Sequence, residues 1–236
     1  GSANTDGSIN STVSVNTTSG FSIVSYTGTG ANATVGHGLG SKPKFIIIKS
    51  RDKVDNWHCY HESIGATKVI WLDLTSASAS TSTFMQDTEP TSSVFSLGTN
   101  TATNTSGFDH IAYCFADVQG YSKFGSYTGN GNADGTFVYT GFKPAFVMIK
   151  HTNGTSNWTI NDTGRDPTNV NNLRLFPNQN AVESSGSDSM DMLSNGFKFR
   201  STDGGNNGSG DTYIYMAFAE EPLVANVGAS IPATAR

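Results

Sequence analysis

The run His58-Cys59-Tyr60-His61-Glu62 puts two imidazoles, a thiol and a carboxylate within five residues, the residue types that ligate zinc or activate a nucleophile. Its spacing argues against both roles. In an extended chain neighbouring side chains point to opposite faces, so His58 and His61 diverge and cannot hold one ion without a bulge. Cys59 and Cys114 each sit in an apolar run and read as reduced, buried thiols with no base in register to activate them. A second candidate is the oxygen-rich stretch Asp203-Gly204-Gly205-Asn206-Asn207-Gly208-Ser209-Gly210-Asp211. Asp203, Asn206 and Asp211 could offer oxygens to calcium there, although the stretch lacks the acidic spacing and closing glutamate of an EF-hand loop. A glycine-rich β-turn connection is the alternative reading. Gly28-Thr29-Gly30 and Gly129-Asn130-Gly131 lack the strand-to-helix context of a phosphate loop and read as hairpin-type turns.

Trp57 and Trp158 are each preceded by asparagine. An indole on a sheet face stacks against a sugar ring, while nearby Asn, Asp and Thr bond its hydroxyls. A tryptophan retained at the start of two equivalent strands also fits a core anchor, and this reading is favoured because the polar neighbours differ between the two sites. Tyr60, Tyr121 and Tyr139 are further candidates for a binding surface. No catalytic residue is proposed: no histidine or acidic pair recurs between the two halves of the chain, and the chain reads as non-enzymatic.

The halves are related by an internal repeat, which must be sought before any local reading. Tyr26-Thr27-Gly28-Thr29-Gly30 matches Tyr127-Thr128-Gly129-Asn130-Gly131, Lys42-Pro43 matches Lys143-Pro144, and Lys49 and Trp57 match Lys150 and Trp158, all at a spacing of 101. The register then slips by two before Phe115-Ala116-Asp117 meets Phe218-Ala219-Glu220. Short apolar or alternating runs, such as 21–26, 44–49 and 111–116 and their partners 123–127, 145–150 and 212–219, are separated by turn residues at the rhythm of an antiparallel sandwich. The expectation is an all-β chain of two tandem homologous, jelly-roll-like β-sandwich units, at 20–119 and 120–221. Residues 1–19 are expected to form an extended or disordered Ser/Thr/Asn-rich arm, and residues 222–236 a tail. Gly1-Ser2 reads as a cleavage scar, so the natural protein is expected to be longer.

Composition agrees with this. Gly, Ser, Thr and Asn fill 104 of the 236 positions, whereas leucine occurs eight times. Those four residues are weak helix formers, and the scarce ones are the residues that fill helices. A net charge of -5 with no Lys/Arg cluster excludes nucleic acid and anionic membrane surfaces as expected partners. No apolar stretch approaches the length of a spanning helix.

The segments Gly36-His37-Gly38-Leu39-Gly40, Pro43 to Lys49, Ala112 to Gly131, Tyr139 to Lys150 and Tyr215 to Glu220 resemble a domain of virion structural proteins of tailed bacteriophages, many from marine hosts. The resemblance implies a tail-fibre or head-decoration protein on the virion surface, made in the host cytoplasm. It also implies oligomers, often trimers, and contact with other virion proteins. Together with the repeated sandwich pattern, it leads to the expectation of a non-enzymatic module that adheres to a host-surface glycan. No cofactor beyond the calcium option is expected. A purely structural spacer or decoration protein is the alternative. A polysaccharide depolymerase is the third reading, disfavoured because the repeat is far longer than the coil of a parallel β-helix.

Overall fold

The computed structural model describes residues 1–219, so the expected tail 222–236 lies outside the described residues. Contacts divide the chain into two compact units, one of Gly1–Leu74 with Ser78–Asp117, the other of Thr75–Ala77 with the chain from Val118 onward. All ladder pairings between strands are antiparallel, and the one helix among the described residues is a single turn.

Unit 1 contains β1 (Ser2–Asn4), β2 (Ser11–Asn16), β3 (Phe21–Thr27), β4 (Ala33–Gly36), β5 (Phe45–Ser50), β6 (His58–His61), β7 (Lys68–Trp71), β8 (Ala79–Ser80), β9 (Val94–Leu97), α1 (Thr101–Asn104) and β10 (Asp109–Phe115). Eight strands pair in the order β1-β2-β3-β10-β5-β6-β7-β8, and β4 pairs with β9 in a second sheet. Alternation dictates which face turns inward: in β10, His110, Ala112 and Cys114 are buried, while the residues between them are more open. Val24, Ile46, Ile48, Ala112 and Cys114 of the large sheet share one core with Val35, Phe95 and Leu97 of the small one.

Unit 2 contains β11 (Ser122–Thr128), β12 (Phe137–Tyr139), β13 (Pro144–His151), β14 (Thr159–Asp162), β15 (Asn171–Leu175), β16 (Ser184–Leu193), β17 (Gly196–Phe199) and β18 (Thr212–Ala219). These form one sheet in the order β11-β18-β13-β14-β15-β16-β17-β12. The sheet curls so that Val138, Met190, Met192, Phe197 and Phe199 meet Val147, Ile149, Tyr213, Tyr215 and Ala217 in its core. Taken in chain order, β3 to β10 occupy the same places in unit 1 as β11 to β18 in unit 2. The difference lies at β8, whose two residues do not reach β9, whereas the ten-residue β16 pairs with both β15 and β17.

A common clasp closes one end of each unit. The hydroxyl of Tyr26 donates to the Thr103 carbonyl and that of Tyr127 to the Asn206 carbonyl, each at 2.7 Å. Tyr26 stacks on His110 at 5.3 Å, and Tyr127 on Tyr213 at 4.9 Å. Buried Asn104 donates its side-chain amide to the Ala31 and Gly98 carbonyls and accepts from Thr29 N–H. Asn207 does the same with Asn132, Ser201 and Asn130. The glycines are required by close approach: a Cβ on Gly28 would lie 2.4 Å from the Thr105 carbonyl oxygen, and one on Gly129 2.3 Å from that of Gly208.

The N-terminal arm differs from a free connector. Residues 11–16 pair along β3, and Ile9 and Val13 are buried in the core of unit 1. The Ser11-Thr12-Val13-Ser14 alternation supplies the inward side chains, so the arm is an integral edge of the unit.

Candidate functional site

The residues singled out from the sequence separate in the structure. Trp158 is 2% exposed and serves as a core anchor, its main-chain N–H bonded to Asn178 Oδ1 at 3.0 Å. Trp57 is half-buried and stacks on Tyr113 at 6.5 Å. Tyr60 is fully buried, with its hydroxyl donated to the Glu89 carboxylate and its pKa raised by burial and then by that carboxylate. Tyr121, also half-buried, packs its ring on Phe218. His58 donates its Nδ1–H to the Asn56 carbonyl and accepts the Trp71 indole N–H at Nε2, 3.2 Å away, while His61 Nδ1 accepts from Ser63 N–H. Both thiols are free and buried, and burial pushes each pKa up, away from the nucleophilic thiolate. Among the described residues no group of three or more His, Cys, Asp or Glu side chains is placed to hold a metal.

The stretch 203–211 is the loop of the unit 2 clasp, and its oxygens have work inside the protein. Asp203 Oδ1 accepts from Gly205 N–H, Asn206 Oδ1 accepts the Thr159 hydroxyl, and Asp211 lies 3.7 Å from His151 Nε2. The glycine-rich turn reading describes this geometry.

Tyr139 stands apart from the other candidates. It is 63% exposed on β12, Phe137 on the same strand is 44% exposed, and Val138 between them points into the core. The two rings therefore share the outward face. Phe137 lies opposite Lys198, which lies opposite Asp191, so one row crosses β12, β17 and β16. In the next row Tyr139 lies opposite Gly196, where a Cβ would lie 3.1 Å from the Phe137 ring, and the Tyr139 phenol lies near Gly141. Asp134 accepts from Lys198 at 2.6 Å and from Arg200 at 3.0 Å, and Arg200 also donates to Asp191 at 2.6 Å. The hydrogen bond from Lys198 holds the Asp134 carboxyl below its usual pKa. Two aromatic faces beside a balanced set of two cations and two carboxylates form a surface whose chemistry suits stacking of an apolar ring face and hydrogen bonding of polar groups at the rim.

Unit 1 carries nothing comparable at this place. The counterparts of Phe137 and Tyr139 are Thr34 and Gly36, and the arm lies over them: Ser8 N–H bonds Thr34 Oγ1 at 2.9 Å, and a Cβ on Gly36 would run into the Asn4 side chain. Sequence reasoning selected Tyr139 but missed Phe137, Asp134, Lys198 and Arg200. The available signal was the Phe-Val-Tyr alternation, which spans only three residues.

A family model described as a domain of unknown function, DUF7483, matches residues 1–222. The chain belongs to the DUF7483 family. The matched span takes in both units and the arm, so the DUF7483 match treats them as one domain. No curated protein and no solved structure matches this DUF7483 chain.

Proposed function

We propose that this protein is a bacteriophage virion-surface module that adheres to a host-cell glycan through the outward face of β12, β17 and β16. The observation that carries the reading is the pair of exposed rings, Tyr139 and Phe137, at a position that unit 1 covers with its own arm. The rings supply the stacking platform, while Asp134, Lys198 and Arg200 at the rim hydrogen-bond hydroxyls. Such a module acts by binding rather than catalysis, and multiple copies on a particle would multiply a modest single-site affinity. The phage assignment is supported by the segment resemblance at 36–49, 112–131, 139–150 and 215–220.

The test is an array of host-surface polysaccharides probed with the wild-type chain and with Tyr139→Ala. Binding that weakens by about tenfold in the variant, equivalent to roughly 1.4 kcal/mol of lost stacking, supports the reading. Binding that is absent from the wild-type chain, or indifferent to Tyr139→Ala, overturns it and favours a structural spacer or decoration role.

A further inference from the structure

The chain contains four Asn-Gly pairs, Asn130-Gly131, Asn153-Gly154, Asn195-Gly196 and Asn207-Gly208. In such a pair the glycine nitrogen, unscreened by a side chain, is the neighbour that attacks the side-chain carbon Cγ of the asparagine. A new C–N bond forms, the amide nitrogen leaves as ammonia, and water opens the resulting succinimide ring to aspartate or isoaspartate. Three features favour the step: an attacking N–H engaged nowhere else, an unbonded amide nitrogen to depart, and donors aimed at Oδ1, where negative charge builds in the tetrahedral intermediate.

In three of the pairs the nucleophile is tied down. Gly131 N–H donates to the Asn207 carbonyl at 2.8 Å, and Gly208 N–H to the Tyr213 hydroxyl at 2.9 Å. Arg200 N–H donates to the Ser189 carbonyl, a parity that makes Gly196 and Leu193 a bonded pair at the end of the β16–β17 ladder. Asn207 is also buried, and its amide nitrogen donates to three oxygens. Asn153 differs on every count. It is exposed just after β13, and among the described residues neither Gly154 N–H nor Asn153 Nδ2 makes a hydrogen bond. Its Oδ1 instead meets three donors: Thr212 N–H at 2.8 Å, the Thr212 hydroxyl at 3.0 Å and His151 Nε2 at 3.0 Å. An amide oxygen has no proton to give, so His151 carries one on Nε2. The same imidazole packs on the glycine, where a Cβ would lie 2.4 Å from His151 Cε1.

We propose that Asn153 is a self-modification site, converted to aspartate or isoaspartate by attack of the Gly154 nitrogen on Asn153 Cγ. Thr212 and His151 hold the charge that develops on Oδ1. The Gly154 proton passes to water, the departing nitrogen takes a proton from water and leaves as ammonia, and a second water opens the ring, so water is the only reagent consumed. The product sets a carboxylate against Thr212 N–H and His151, and in the isoaspartate form it adds one methylene to the main chain between β13 and β14. The site uses none of the residues of the glycan reading and stands without it.

The test is incubation of the full chain at physiological temperature and pH, with peptide mapping by mass spectrometry at intervals to score amide-to-acid conversion at each of the four asparagines. Conversion at Asn153 should run ahead of the other three, and it should be faster in the folded chain than in urea, where the donors to Oδ1 are dispersed. Thr212→Val removes the hydroxyl donor and should slow Asn153 by about tenfold, less than in a sealed oxyanion hole because this asparagine is open to water. The comparison of folded with urea-unfolded wild-type chain needs no variant. An Asn153 that converts no faster than Asn195, or faster in urea than in the folded chain, overturns the proposal, as does a rate indifferent to Thr212→Val in a folded variant.

Discussion

Replacing Lys150 with methionine should remove one contribution to the stability of the wild-type protein, a contribution that grows between pH 8 and pH 10. Lys150 is fully buried on β13, and its ammonium donates to two carbonyl oxygens, Thr75 at 2.8 Å and Ser156 at 2.6 Å. Burial without a carboxylate partner lowers its pKa from 10.5 to about 8. A gap of that size is equivalent to about 3 kcal/mol of disfavour for the charged form in the folded protein at neutral pH. The sign follows from linkage: between the folded and unfolded pKa values the unfolded chain binds more protons, so stability rises with pH. Integrating from pH 8 to pH 10 gives a rise of about 2 kcal/mol. Urea unfolding of both proteins across this range is the assay, and the difference between their curves isolates the lysine, since the buried thiols of Cys59 and Cys114 and the buried phenols of Tyr26 and Tyr127, whose raised pKa values oppose the rise, are common to both. A difference between the two curves that stays flat from pH 8 to pH 10 would refute the reasoning that burial governs this group.

Acid should act on unit 1 first. Burial holds His37, His58 and His110 below the usual imidazole pKa, and an acceptor nitrogen of His37 and of His58 is occupied by Leu39 N–H and Trp71 Nε1–H. A histidine with a depressed folded pKa costs stability as pH falls through the unfolded value near 6.5 and on to the folded value. The urea midpoint of unit 1 should therefore drop between pH 7.5 and pH 5, and a midpoint that holds or rises contradicts the assignment of these rings as neutral. Gly28→Ala and Gly129→Ala should each destabilise by about 2 to 3 kcal/mol, because the new methyl meets a backbone carbonyl that cannot step aside. Thermal melts that stay within a degree of wild type would show that the clasp has slack.

Strands whose residues are mostly apolar were legible from the sequence, and those built from small polar residues were not. Phe45–Ser50 and Thr212–Ala219 announce themselves because both faces are buried. Ser184–Leu193 looks like linker, yet it is the longest strand, with Met190 and Met192 as its inward residues. Ser11–Asn16 was masked in the same way, since serine and threonine serve a strand's outer face as readily as a loop. The recurrence of Trp57 and Trp158 suggested one shared role, but only Trp158 is sealed in a core. The pair Asn104 and Asn207 was hidden by the two-residue slip, which sets them 103 apart, so the clasp was recognisable only through its tyrosines and glycines. The platform residues carried the weakest trace, because Lys198, Arg200 and Asp134 meet Phe137 only through pairing between strands distant in sequence.

The clasp also decides where a protease can enter. Glycine-rich turns are normally the first places a folded chain is nicked, because cleavage requires a stretch of backbone to leave the fold. Here the turns after Tyr26 and Tyr127 are gripped from inside by the Asn104 and Asn207 amides, each holding main-chain groups of the turn itself. The crossing at 179–183 between β15 and β16 is exposed throughout, and digestion is expected there before it reaches either turn. The most glycine-rich corners of this molecule are among its better-guarded ones.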